Sequence, residues 1–246
     1  MSNGALSAHL PFFLIATLSG AAAVAQPVTG VAGARFHVAD LAKARDFYTK
    51  VFGFQEKTAS TPGTVTFELS ADQYLEFTTN GEGDAANPLE RIVFATNKQA
   101  PALQDPDGRR IEFLPPSHVN FKSSEESLSG HMIHVGMGVA DMTRAIDFYS
   151  KLGCKEIFRR PDSKVLIMRT PGSREDWVEF ILRGEQGADH IGLDAPDIQR
   201  AYRALVERGA AIRGKPRIAS NGHWVINMVD TNGIRVELME PKPAAK

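Results

Sequence analysis

Apolar and polar residues alternate strictly from Thr64 to Ser70 and more loosely from Gln73 to Thr79, from Lys164 to Thr170 and from Trp177 to Arg183. Such period-two stretches predict antiparallel strands that bury one face. Upstream of each pair the rhythm changes to apolar positions three and four apart, which predicts an amphipathic helix. Each helix follows a short strand and an aspartate able to cap it, Asp40 or Asp141. Each ends near a glycine, Gly53 or Gly153, placed for a left-handed C-cap.

These are two copies of one unit. Phe36-His37-Val38-Ala39-Asp40 through Asp46-Phe47-Tyr48 returns as Val135-Gly136-Met137-Gly138-Val139-Ala140-Asp141 through Asp147-Phe148-Tyr149, and Asp40 and Asp46 keep one common offset from Asp141 and Asp147. A weaker copy begins at His190-Ile191-Gly192-Leu193-Asp194. It continues through a helix from Ile198 to Arg208, closed by Gly209. Strands are predicted around Arg217, from His223 to Val229 and from Ile234 to Glu240, the last two flanking the turn Asp230-Thr231-Asn232-Gly233. A damaged copy spans Arg91 to Leu114. It keeps its first strand and the turn Asp105-Pro106-Asp107-Gly108, with too few residues between them for a full helix plus a strand. The expected fold class is therefore α+β, four βαβββ units with the second truncated. The expected division is a domain over 32–116, a polar linker over 117–131, a domain over 132–241 and a tail over 242–246.

Composition narrows the chemistry. The chain has 246 residues, 43% hydrophobic and 23% charged, so it can build a sizeable core. Lys plus Arg number 28 against 29 for Asp plus Glu, and a net charge of -1 offers no field to gather nucleic acid or an anionic membrane. The single cysteine, Cys154, excludes an internal disulfide framework and any cysteine-rich metal site. Histidines and carboxylates must therefore hold any metal. Leu10 to Ala25 carries no charge, begins with the apolar run Phe12-Phe13-Leu14-Ile15 and closes with Ala23-Val24-Ala25 before Gln26. That pattern predicts a cleaved export signal over 1–25 and a secreted or periplasmic mature protein outside the membrane; a tail without structure is the alternative.

The paired strand–Asp–helix–Phe-Tyr segments, with the endings Asp107-Gly108-Arg109-Arg110-Ile111-Glu112 and Asn232-Gly233-Ile234-Arg235-Val236-Glu237, resemble the vicinal oxygen chelate superfamily. That superfamily includes glyoxalase I, extradiol dioxygenases and the bleomycin resistance proteins. The resemblance implies two cupped mixed sheets, each built from a pair of units. It also implies a divalent metal held by the first and last strands of each unit. Alternation puts His134, Gly136 and Gly138 opposite the apolar Val135, Met137 and Val139, and His190 and Gly192 opposite Ile191 and Leu193. Glu179 and Glu237 face away from Val178, Phe180, Val236 and Leu238. The candidate ligands are thus His134, Glu179, His190 and Glu237, a set suited to Fe2+, Zn2+, Ni2+, Mn2+ or Co2+. The His-x-Gly spacing is expected to leave room for substrate over the metal. In the first half the matching positions are Gly33, Glu76, Arg91 and Glu112, which predicts a guanidinium in place of the ion, with Arg35 on the same face.

By resemblance to glyoxalase I, the expected activity is a metal-dependent isomerase or lyase acting on a small molecule with adjacent oxygens. Glu237 is then the proton-moving base and Glu179 the alternative. His223 is a further acid–base candidate, and Trp177 and Trp224 are candidate pocket walls. An extradiol iron(II) dioxygenase would need only His134, His190 and Glu237, and its layout with an inert first half matches this one. The tyrosine expected ten residues before the last ligand is Asn227 here. A metal-free binding or resistance protein is the third reading. Members of this superfamily often form homodimers, although four units in one chain already supply the paired sheets.

Overall fold

In a computed structural model the described residues are 28–57, 61–81, 83, 85–115, 124, 126–172, 174–183 and 188–240. The expected export signal, the tail and most of the linker lie outside them.

The first unit is β1 (Val28–His37), α1 (Leu41–Lys50), β2 (Gln55–Lys57), β3 (Thr64–Ser70) and β4 (Gln73–Thr78). The second has no helix at all and consists of β5 (Leu89–Thr96), β6 (Leu103–Gln104) and β7 (Arg110–Leu114). The third is β8 (Met132–Val139), α2 (Met142–Lys151), β9 (Lys155–Arg159), β10 (Val165–Arg169) and β11 (Trp177–Leu182). The fourth is β12 (His190–Asp194), α3 (Ile198–Glu207), β13 (Arg217–Ile218), β14 (Trp224–Val229) and β15 (Arg235–Glu240). The aspartates do cap the helices: Asp40 accepts from Ala42 and Lys43, Asp141 from Thr143 and Arg144, and Asp197 from Arg200. Gly53, Gly153 and Gly209 end the helices with φ of 75°, 91° and 74°, which only glycine adopts without strain.

The strands form two curled mixed sheets. The seven-stranded one runs β2-β3-β4-β1-β5-β7-β6 and the eight-stranded one β13-β14-β15-β12-β8-β11-β10-β9. In each, the first strands of two units lie antiparallel at the centre, and each is parallel to its own unit's last strand. The inward faces, with Phe36, Phe77 and Phe94 from one sheet and Val135, Met137 and Phe180 from the other, join a single hydrophobic core. No helix among the described residues is long and apolar enough to cross a membrane.

The halves hold each other reciprocally. Tyr48 of α1 donates to Asp230 at 3.2 Å, and its repeat counterpart Tyr149 donates to Asp105 at 3.1 Å. Gln73 accepts from the Met132 amide at 2.8 Å while Asp176, its counterpart, accepts from the Val31 amide at 2.8 Å. Arg109 breaks the symmetry, because Ile234 stands at the matching place. Its buried guanidinium reaches Asp105 at 3.3 Å and Asp189 at 3.2 Å and donates to the Gly138 carbonyl. Removing one member of such a buried network leaves its partners charged and uncompensated, at a cost of about 3–5 kcal/mol. Arg109→Leu is therefore expected to destabilise the protein by about that amount in urea unfolding, and exposed Arg200→Leu by no more than about 0.5 kcal/mol.

Candidate metal centre

Register across the four central strands of the larger sheet builds the site. One row reads Glu179, Gly136, His190, Arg235 across β11, β8, β12 and β15. The next row reads Trp177, His134, Gly192, Glu237. In each row a glycine lies beside an imidazole, and the imidazole leans over it. A Cβ on Gly136 would sit 1.8 Å from the His190 ring, and one on Gly192 would sit 1.9 Å from the His134 ring. The expectation that these glycines leave room for substrate is therefore corrected, because the opposing histidine fills the space.

Leaning this way, the four side chains meet. The two Nε2 atoms are 3.1 Å apart, and His134 Nε2 is 3.6 Å from Glu237 and 3.9 Å from Glu179. His190 Nε2 is 3.9 Å from Glu237 and 4.0 Å from Glu179. One ligand atom from each of the four lies within 4.8 Å of the others. Donors about 2.0–2.2 Å from a shared ion stand about 3–4 Å apart, so the set fits a divalent metal in size and in chemistry. His190 fits in tautomer as well. Its Nδ1–H donates to the Ala188 carbonyl at 2.8 Å, which leaves the Nε2 lone pair facing the centre. His134 is backed by the Trp177 indole, stacked at 5.1 Å.

Both histidines are fully buried, and burial holds them neutral: His134 is pushed down to about 4 and His190 to about 3. Burial and the neighbouring Glu237 raise the Glu179 carboxyl. Burial alone would raise Glu237 too, but His190, the Arg235 guanidinium bonded to it and His134 hold its carboxyl well below the usual range. Arg235 also donates to Asn227 at 3.1 Å.

The remaining candidates are placed as follows. His223 packs on Trp177 at 5.9 Å. Trp224 is on the outward part of β14 and exposed. Neither tryptophan lines the cavity of about 220 Å³ that opens beside Glu179 and Glu237. Phe158, Val165, Ile167, Ile181 and Met239 give that cavity apolar walls, and Arg160, Arg217 and Arg235 also border it. Sequence reasoning passed over these arginines. Arg235 was within reach, since it lies two residues before Glu237 on one strand face. Arg160 and Arg217 depend on how the edge strands curl, which no local pattern encodes.

The first half shows what happens without the imidazoles. Its rows read Glu76, Arg35, Arg91, Arg110 and Tyr74, Gly33, Val93, Glu112. Arg91 bonds Glu76 at 2.8 Å and Glu112 at 3.1 Å, and Arg35 also bonds Glu76. A guanidinium thus bridges the carboxylates, as the sequence predicts. Tyr74 covers Gly33, where a Cβ would meet its ring at 2.8 Å. His37 pairs instead with Glu90 at 3.5 Å.

The Glyoxalase profile, of the Glyoxalase/Bleomycin resistance protein/Dioxygenase superfamily, matches residues 31–100 and 131–238. The chain belongs to that superfamily. Solved structures with the same fold include the 2,3-dioxygenase LapB from Pseudomonas sp. KL28, at TM-score 0.71 and 17% identity over 90% of this chain and 96% of that one. An extradiol ring-cleaving dioxygenase from B. fuscum aligns at TM-score 0.67 and 17% identity, over 89% of this chain and 73% of its own. A catechol 2,3-dioxygenase aligns at 0.66 and 15%, over 90% and 91%. No curated protein matches this superfamily member in sequence.

Two outcomes follow from the geometry. Gly136→Ala or Gly192→Ala must push an imidazole off the centre, so each is expected to weaken zinc or cobalt binding at least about tenfold by titration. In the metal-free protein the buried histidines refuse protons that the unfolded chain accepts near pH 6.5. Their contribution to stability is complete above that pH. It is lost as the pH falls from about 6.5 towards 3, at up to about 1.4 kcal/mol per pH unit for each imidazole. His190→Gln should make this acid limb of the unfolding curve shallower.

Proposed function

We propose that the C-terminal half of this superfamily member is the active centre of a metal-dependent enzyme of glyoxalase type. It takes a small molecule through two adjacent oxygens and moves a proton between neighbouring carbons, as an isomerase or lyase. The observation that carries this reading is the second carboxylate. Two histidines and Glu237 would suffice to hold an ion, and Glu179 still faces the same point.

His134 and His190 would hold the metal through Nε2, with Glu237 and Glu179 beside them. A divalent ion there supplies Lewis-acid polarisation of substrate oxygens and keeps positions open for them. The rest is done by the protein. Ile167, Ile181 and Met239 give the cavity an apolar side against which a substrate body can pack. Arg235 anchors Glu237 as a fixed ligand. Glu179 has no such arginine bond among the described residues and borders the cavity, so it is the carboxylate free to act. Its oxygen takes the proton from the hydroxyl-bearing carbon next to a carbonyl and returns it to the carbonyl carbon, while the hydroxyl proton passes to the other oxygen, so that carbonyl and hydroxyl exchange places. This reverses the sequence-based preference for Glu237 as the base. His223 does not border the cavity and has no part in the step.

An extradiol iron(II) dioxygenase is the second reading, favoured by the shared fold along nearly the whole of LapB. It leaves Glu179 without a purpose, and Asn227, bonded to Arg235, supplies no acid or base. A metal-free binding protein would leave the Glu179 carboxyl and the two buried Nε2 atoms turned towards one point with no ion to share.

The test is reconstitution of metal-free protein with Fe2+, Zn2+, Ni2+, Mn2+ and Co2+. Isomerisation of hemithioacetals and oxygen uptake with catechols are then followed side by side. Isomerisation without oxygen uptake is expected, and Glu179→Gln should lower kcat by at least about 100-fold while retaining metal. Oxygen uptake confined to the iron form would move the protein to the second reading. Binding of less than about 0.1 equivalent of every ion would end both.

A further inference from the structure

The cavity beside the centre is bordered by Arg160, Arg217 and Arg235, and these three cations have different partners. Arg235 is largely buried and committed to Glu237 and Asn227. Arg160 pairs at 2.7 Å with Asp162 on the solvent side, where both side chains are more than a third exposed and the pair is weak. Arg217, on the edge strand β13, is exposed and borders the same cavity, and no carboxylate among the described residues pairs with it. The two cavity carboxylates, Glu179 and Glu237, already face the metal point. Once they are engaged there, the cavity edge is cationic, and Ser220 and Asn221 line it beside Ile167, Ile181 and Met239.

We infer that this cavity selects a substrate carrying a carboxylate at the end remote from its two adjacent oxygens, with Arg217 and Arg160 as the specificity-determining residues. The inference rests on the metal-centre reading and adds the substrate class: a small molecule with chelating oxygens at one end and a carboxylate at the other. The guanidinium fork matches a carboxylate through paired hydrogen bonds, which an ester cannot accept in the same charge-assisted way. A cavity of about 220 Å³ is below the range that suits drug-sized ligands, so the body is small.

The experiment uses the full protein loaded with redox-inert Zn2+ and reads binding by calorimetry. The probes are 3,4-dihydroxybenzoate and 3-(3,4-dihydroxyphenyl)propanoate, each against its methyl ester, so that the reach to the arginines is sampled twice. At least one acid should bind about tenfold or more tighter than its ester. Arg217→Gln should reduce that preference at least about fivefold, and Arg160→Gln by a smaller factor, with ester affinity and zinc stoichiometry unchanged. Equal binding of acids and esters, no binding of any probe, or a preference intact in the Arg217→Gln, Arg160→Gln double variant overturns the inference. Failure of the metal-centre reading looks different: zinc itself would fail to bind, or the acid preference would persist undiminished in protein stripped of zinc.

Discussion

The antiparallel pairing of β8 with β12 is the constraint on which the site depends. It sets His134 opposite Gly192 and His190 opposite Gly136, so each imidazole crosses the backbone of the other strand. Had the register slipped by one residue, one of the two rings would have turned into the hydrophobic core, and Val135 or Ile191 with its strand into the cavity, so the imidazoles could not meet. The core forbids that slip. Val135, Met137, Ile191 and Leu193 are fully buried on the opposite face, and moving them into water would cost several kcal/mol. Packing on one face of the sheet therefore fixes chemistry on the other.

The first half tests the same idea from within the molecule. It keeps the strand pairing, the parallel outer strands and both acids, yet lacks the two histidines. Arg35 occupies the position of Gly136, and Arg91 that of His190. The carboxylates Glu76 and Glu112 then gather a guanidinium. A pair of acids close together in a cupped sheet needs a cation, and the residues opposite decide whether the protein itself supplies it. The missing helix of the second unit agrees with a half kept for its sheet and its contacts to the other half rather than for a pocket.

Much of this was legible in the sequence, for identifiable reasons. The repeat fixes the order of elements, aspartate caps and positive-φ glycines mark the helix ends, and period two sorts His134, Glu179, His190 and Glu237 onto one face. Short edge strands such as β2 and β9 had no pattern of their own, because pairing with β3 and β10 creates them. Other features depend on distance in space rather than along the chain. The role of Gly136 and Gly192 lies in the partner strand's side chain. Arg109 bridges residues from both halves, and Arg160 and Arg217 reach one cavity from the two opposite edges of the sheet.

The central claim is that two imidazoles and two carboxylates share one ion. X-ray absorption on the full protein loaded with one equivalent of Co2+ measures this most directly. The account predicts a first shell of nitrogen and oxygen at about 2.0–2.2 Å, with the multiple-scattering signature of two imidazoles. It also predicts loss of one imidazole in His190→Gln. A shell with no imidazole, or one unchanged by that substitution, would contradict it.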